Sequence, residues 1–161
     1  MNSFTPYLRL NAVRLDLDVK SLKRLFEEAA GALEAAYGVP HDEAFTALSE
    51  RERIGSTALG HGCAVPHGRL DSLDSPVVAF LRTREPIKTP SPDGTGAELF
   101  VVILAPAENP EAYLGLLRAT AALLSDDAAR ARLIAAPTPT AFCEALSVWK
   151  PHAQEPGSTA S

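Results

Sequence analysis

Residues 51–70 read Arg-Glu-Arg-Ile-Gly-Ser-Thr-Ala-Leu-Gly-His-Gly-Cys-Ala-Val-Pro-His-Gly-Arg-Leu. Gly55, Gly60, Gly62 and Gly68, together with Pro66, break helices and suit tight turns. Glycines on both sides of Cys63-Ala64-Val65 let backbone approach a ligand with no Cβ in the way. Pro66 fixes its own φ and biases Val65 toward an extended conformation. His67 is thereby held on a turn at the end of a short strand, and Gly68 leaves one face of its ring open. A neutral imidazole is a good nucleophile near neutral pH and forms covalent intermediates. If the electrophile is a phosphoryl group, catalysis needs mainly positioning and positive charge around the equatorial oxygens. Arg51, Arg53 and Arg69 lie nearby in sequence. The hydroxyls of Ser56 and Thr57 and the N–H groups of the glycine turns complete a possible anion nest.

Each of these residues also has a plainer reading. His67 alone is a turn histidine, and Arg51 a solvent-facing residue at a helix end. Arg53 and Arg69 read more readily as surface residues than as ligands. Ser56 and Thr57 serve equally well as turn residues bonding their own backbone. Tyr113 is either core or a phosphate contact. His41, after Pro40, reads as a solvated helix cap, and His152 as an inert residue of the tail. His61, Cys63 and His67 are imidazole and thiolate groups of the kind zinc takes. They lack paired Cys-x-x-Cys or His-x-x-x-His spacing, so no metal site is expected; Cys63 on a strand points into the core, where free cysteine often sits.

The positioning elements follow from periodicity. Residues 8–17 alternate and suggest a short strand or arm. Asp18 is the expected N-cap of a helix carrying Val19, Leu22, Leu25, Phe26, Ala29, Ala30, Leu33 and Tyr37, stopped by Gly38 and Pro40. A second helix is expected over 42–51 with Ala44, Phe45, Ala47 and Leu48 inward. Strands are expected at 63–65, 76–82 and 98–105, the last apolar almost throughout, as suits a central strand covered on both faces. The segment 83–96, with three prolines and two glycines, reads as loop or a frayed hairpin. Three helices close the chain. Asn109 caps the first, with Pro110 at its first position and Tyr113, Leu116, Leu117, Thr120, Leu123 and Leu124 inward. Ser125 caps the second (126–135), and Thr138 with Pro139 opens the third (140–149). The order implies a single α/β sandwich domain over 1–149, with helices on the faces of a mixed β-sheet. The tail 150–161 has no large apolar residue to bury and is expected to be disordered.

The 161 residues fit one domain, and 46% apolar with 22% charged residues is close to the globular average. A net charge of −5 argues against nucleic acid as the main partner. The longest apolar stretch, 99–105, is far short of the roughly 20 residues a membrane span needs. No basic-then-apolar segment opens the chain, so a cytoplasmic protein is expected. Cys63 and Cys143 then read as reduced thiols, with a single disulfide left open.

The run Arg-Glu…Gly-Ser-Thr…Gly-x-Gly-x-Ala-Val-Pro-His-Gly resembles the active-site signature of enzyme IIA proteins of the fructose/mannitol type in the bacterial phosphotransferase system. Its Gly-Ser-Thr form is most similar to the nitrogen-regulatory branch (PtsN, enzyme IIA-Ntr). The resemblance covers roughly residues 8–149. It implies that His67 accepts a phosphoryl group from an HPr-like carrier (NPr in this branch), with Arg51 beside it and Gly68 next to it. It implies no cofactor. The phosphorylation state would then regulate partners such as potassium transporters or sensor kinases. Alternatives are a sugar-specific IIA handing phosphate to a IIB domain, and an interaction module with impaired transfer. Two positions depart from the family pattern. Tyr113 stands where a second histidine is usual, and a phenol carries no positive charge at pH 7. His61 stands where the nitrogen branch usually has Asn, and is expected to replace part of that missing imidazole.

Overall fold

The structure, a computed structural model, describes residues 2–108 and 110–151. Asn109 and residues 152–161 lie outside the described residues, so the expectations of an Asn109 cap, an inert His152 and a disordered tail fall outside them too.

Six strands form one mixed sheet: β1 (Val13–Leu17), β2 (Ala58–Gly60), β3 (Cys63–Ala64), β4 (His67–Arg69), β5 (Val77–Ile87) and β6 (Ala97–Ala105). Their order is β1-β5-β6-β3-β2, and β4 also pairs with β6. β6 is the axis. It runs antiparallel to β5 and parallel to both β3 and β4, which follow one another along the same edge. Because side chains alternate across a strand, β5 and β6 feed two cores. Phe80, Leu99, Val101 and Ile103 face α3 (Pro110–Ser125), α4 (Asp127–Ala135) and α5 (Pro139–Val148). Leu81, Phe100, Val102 and Leu104 face α1 (Leu22–Tyr37) and α2 (His41–Ile54). The result is the expected mixed sheet covered on both faces, and the nearly continuous apolar run of β6 is completely buried from Leu99 to Ala105.

Several boundaries differ from expectation. The arm begins as two 3-10 turns, Thr5–Tyr7 and Leu10–Ala12, and only Val13–Leu17 pairs with β5. Ser21, not Asp18, caps α1; its hydroxyl accepts from Arg24 N at 3.2 Å. α2 runs on to Ile54, carrying Arg51 in its last turn. His41 is not a solvated cap but the first residue of α2, half-buried, with Nε2 3.2 Å from the Glu27 carbonyl. β5 continues to Ile87, which pairs with Ala97 after a register irregularity, so of the two readings of 83–96 the frayed hairpin holds, and its connection is 88–96. Ser125 is the last residue of α3; Asp126 caps α4, accepting from Ala129 N at 3.1 Å. Thr138 caps α5 as expected.

The extension of β5 has a visible partner set. Arg82 is buried, and its guanidinium donates to the Leu133 and Ala136 carbonyls at 2.8 Å and to Asp16 at 3.1 Å. A cation at the end of α4 satisfies carbonyls left without partners inside the helix. Both cysteines are free thiols. Cys63 is buried in the α3 to α5 core, and burial pushes its thiol up to about 11.

Candidate functional site

The site is built where β4 leaves the sheet edge beside β6. His67 pairs with Ile103 and Gly68 with Leu104, so the two side-chain positions face opposite layers. Gly68 meets α2 so closely that a Cβ there would lie 2.9 Å from the Ala47 carbonyl oxygen. A side chain at 68 would push α2, with Arg51, away from the strand. His67 faces α3, its ring centroid 5.9 Å from that of Tyr113. A cleft of about 830 Å³ opens between these elements, and Arg51, His67, Gly68, Arg69 and Tyr113 all line it.

His67 is not on the expected turn but opens β4. Val65 and Pro66 form a short link between β3 and β4, which run the same way along β6, and the Val65 carbonyl of that link orients the imidazole. His67 Nδ1 lies 2.7 Å from the Val65 carbonyl. A carbonyl only accepts, so Nδ1 carries the proton and Nε2 keeps its lone pair. Burial, and then the Arg51 charge, hold the His67 pKa below its ordinary value, against the Val65 bond and Glu52, which raise it. The ring is therefore neutral at pH 7. Because the folded value lies below the unfolded 6.5, the unfolded chain takes up its proton first as pH falls. Stability from this group is complete above about pH 6.5 and is lost as pH drops toward the folded value. We expect NMR titration of the His67 ring to give a midpoint below 6.5 in the folded protein; a midpoint at or above 6.5 would contradict the buried, neutral ring.

Arg51 is half-buried and its Nη1 donates to the Gly55 carbonyl at 2.9 Å, which folds the guanidinium back over the end of α2. Arg69 is exposed and sits over the Tyr113 ring, 5.5 Å from its centroid. Neither has an ion-pair partner among the described residues. Tyr113 is both core and site: it is 6% exposed, packs in the α3 to α5 core and edges the cleft. Burial raises its phenol pKa, against the charges of Arg69 and Arg51, so it remains a neutral donor. A cleft with a neutral nucleophilic nitrogen and two unpaired guanidiniums is suited to receiving an anionic electrophile.

Other residues singled out in the sequence are not brought to the cleft. Ser56 Oγ donates to the Pro90 carbonyl at 2.5 Å, and Thr57 Oγ1 donates to Glu52 at 2.8 Å. Both tie the end of α2 and the following turn to their surroundings, and neither lines the cleft. Arg53 is exposed outside it.

His61 occupies the tip of the β2–β3 hairpin with φ 57°, and its N–H donates to Asp93 at 2.8 Å. Cys63, two residues on, pairs with Leu99, whereas His67 pairs with Ile103. Four residues of strand separate the two levels, roughly 13 Å. The idea that His61 replaces the missing imidazole is therefore corrected. Asn and Gly tolerate positive φ better than most residues, and this accounts for an Asn at such a tip. His61→Asn is expected to leave the fold intact and any phosphorylated form equally long-lived, checked by following the intact mass over time. A shortened lifetime would restore His61 to the site. Among the described residues no three His, Cys, Asp or Glu side chains cluster as metal ligands would.

Sequence reasoning set Arg69 aside as surface and did not single out the acidic wall of the cleft, Asp42, Glu43 and Glu50. With Thr46 and Ala47 between them, these positions recur every three to four residues along α2 up to Arg51 and Ile54, which marks one helix face.

Residues 6–148 match the family model described as phosphoenolpyruvate-dependent sugar phosphotransferase system, EIIA 2. The chain is 39% identical over 125 residues to the nitrogen regulatory protein of Pseudomonas aeruginosa, covering 76% of this chain and 80% of that protein. The crystal structure of nitrogen regulatory protein IIA-Ntr from Neisseria meningitidis superposes with a TM-score of 0.80 at 36% identity, over 86% of this chain and 94% of that one. The mannitol IIA of Escherichia coli shares the fold, with a TM-score of 0.72 at 21% identity over 86% and 97%. The chain belongs to the EIIA 2 family of the phosphoenolpyruvate-dependent phosphotransferase system and, within it, to the nitrogen-regulatory type.

Proposed function

We propose that this protein is a phosphohistidine carrier. It accepts a phosphoryl group from the phosphohistidine of an HPr-like protein onto His67 Nε2, and its phosphorylation state controls binding to regulatory partners. The observation that carries the reading is the 2.7 Å contact between His67 Nδ1 and the Val65 carbonyl, which leaves the Nε2 lone pair in the cleft. The nitrogen-regulatory names of its relatives support the regulatory half. In the step itself the Nε2 lone pair attacks phosphorus, and the P–N bond to the donor ring breaks. The electron pair of that bond returns to the donor imidazole. Catalysis is then chiefly positioning and charge neutralisation. The transferred group adds roughly −1.5 to −2 charge to a cleft already walled by Asp42, Glu43 and Glu50. A partner whose binding buries that cleft is therefore gained or lost on phosphorylation.

The test uses phosphoenolpyruvate, enzyme I and an HPr-type carrier with the intact chain. The expected result is one acid-labile phosphoryl group, located by peptide mapping on His67 and absent when enzyme I is omitted. No uptake, or uptake on another residue, would overturn the proposal. Adding a sugar-specific IIB domain to the charged protein separates the regulatory reading from sugar transport: the regulatory reading expects no loss of label.

A further inference from the structure

We propose that Arg69 is a second phosphoryl-binding cation of this site, reaching the group over the Tyr113 ring while Arg51 approaches from the end of α2. This rests on His67 being the acceptor. Arg69 is two residues beyond His67 on β4, and residues at that spacing share a face of the strand. Its guanidinium already lies over Tyr113, whose ring in turn lies 5.9 Å from the His67 ring.

Most other arginines of this chain are engaged. Arg14, Arg24, Arg82 and Arg130 form ion pairs, and Arg9 donates to the Ala36 carbonyl. The Arg69 guanidinium has neither a hydrogen bond nor an ion pair among the described residues, yet Arg69 lines the cleft. The Tyr113 hydroxyl likewise has no hydrogen-bond partner there. No buried side-chain oxygen is left unsatisfied among the described residues, so this hydroxyl reaches solvent. A dianion on His67 would face Asp42, Glu43 and Glu50 in the same cleft. The three carboxylates are exposed, so solvent weakens this repulsion, but a dianion on the half-buried His67 ring still calls for more than one cation beside it. Arginine, unlike histidine, keeps its charge throughout the physiological pH range. Arg69 thus supplies the cation that Tyr113 cannot.

The equilibrium of phosphoryl exchange isolates this role. Docking contacts change how fast carrier and acceptor equilibrate; only groups that interact differently with the loaded and the unloaded imidazole change where the equilibrium lies. The carrier is charged with enzyme I and phosphoenolpyruvate, freed of enzyme I, and mixed with each variant. The phosphorylated fractions are read by intact mass. Charging the protein directly with potassium phosphoramidate and adding unphosphorylated carrier approaches the same ratio from the other side. Arg69→Gln is expected to lower the equilibrium ratio roughly tenfold, Arg69→Lys to restore most of it, and Arg53→Gln to leave it unchanged. If Arg69→Gln reaches the wild-type ratio, at whatever rate, Arg69 is no phosphate ligand, and the acceptor role of His67 stands untouched. If wild type takes no phosphoryl group on His67 from either donor, the acceptor reading fails and this proposal with it.

Discussion

His67→Ala and His67→Gln are expected to take up no phosphoryl group under conditions that fully load the wild type, with the fold retained. Alanine removes the nucleophile. Glutamine tests the orienting contact separately: its amide N–H groups offer the Val65 carbonyl a donor, but an amide nitrogen has no available lone pair. The ring is only half-buried and its protein hydrogen bond is to local backbone. Its loss therefore costs stability on the scale of one such bond, about 1 kcal/mol. The other described histidines offer no substitute, since His41 is turned toward the Glu27 carbonyl and His61 stands on the hairpin tip. Intact mass after loading checks the result, and thermal melting checks the fold. Wild-type loading of His67→Ala would move the acceptor elsewhere.

Gly68→Val is expected to be the most damaging substitution that removes no polar group of the cleft. The first carbon added at 68 lies 2.9 Å from the Ala47 carbonyl oxygen and 3.2 Å from its carbon, and these are helix backbone atoms that cannot rotate away. Either α2 or β4 must shift. Overpacking of this kind costs about 2–3 kcal/mol, a fall in Tm of roughly 5–10 °C for a chain of this size. The second effect is functional. α2 carries Arg51 in its last turn, so retreat of the helix takes the guanidinium from His67. Loading is expected to slow at least tenfold, beyond what the fraction unfolded explains. Gly68→Ala should show the same two effects at smaller size. Wild-type melting and loading in Gly68→Val would show that the approach of α2 to β4 is not what sets the site.

The two apolar runs that became β5 and β6 were legible because burial on both faces demands them, and no other segment of this chain is so continuously apolar. The amphipathic helices were legible by period, and α5 by its Thr138-Pro139 start. Boundaries were less so. Asp18, Ser21, Ser125 and Asp126 are all competent caps, and the choice depends on which residue leaves the helix at the angle the sheet requires. The outward half of β5, with Arg84 and Glu85 exposed, does not look like a buried strand, and part of what holds it is the reach of Arg82 to Asp16 and the end of α4. β2 and β4 are three-residue strands that exist only because β3 and β6 lie beside them.

At the level of the site, local chemistry was written in the chain. Pro66, which has no N–H to give a ladder, interrupts the edge just before His67, although the chain there runs straight on from β3 to β4 where a turn is expected. Long-range placement was not. Whether Ser56, Thr57, His61 or Arg69 meets that imidazole depends on strand register and on where α2 and α3 cross the sheet edge. Those are settled by the packing of whole layers, not by spacing along the chain. Ser56, Thr57 and His61 are close to His67 in sequence and engaged elsewhere, whereas Tyr113, 46 positions on, lies against its ring.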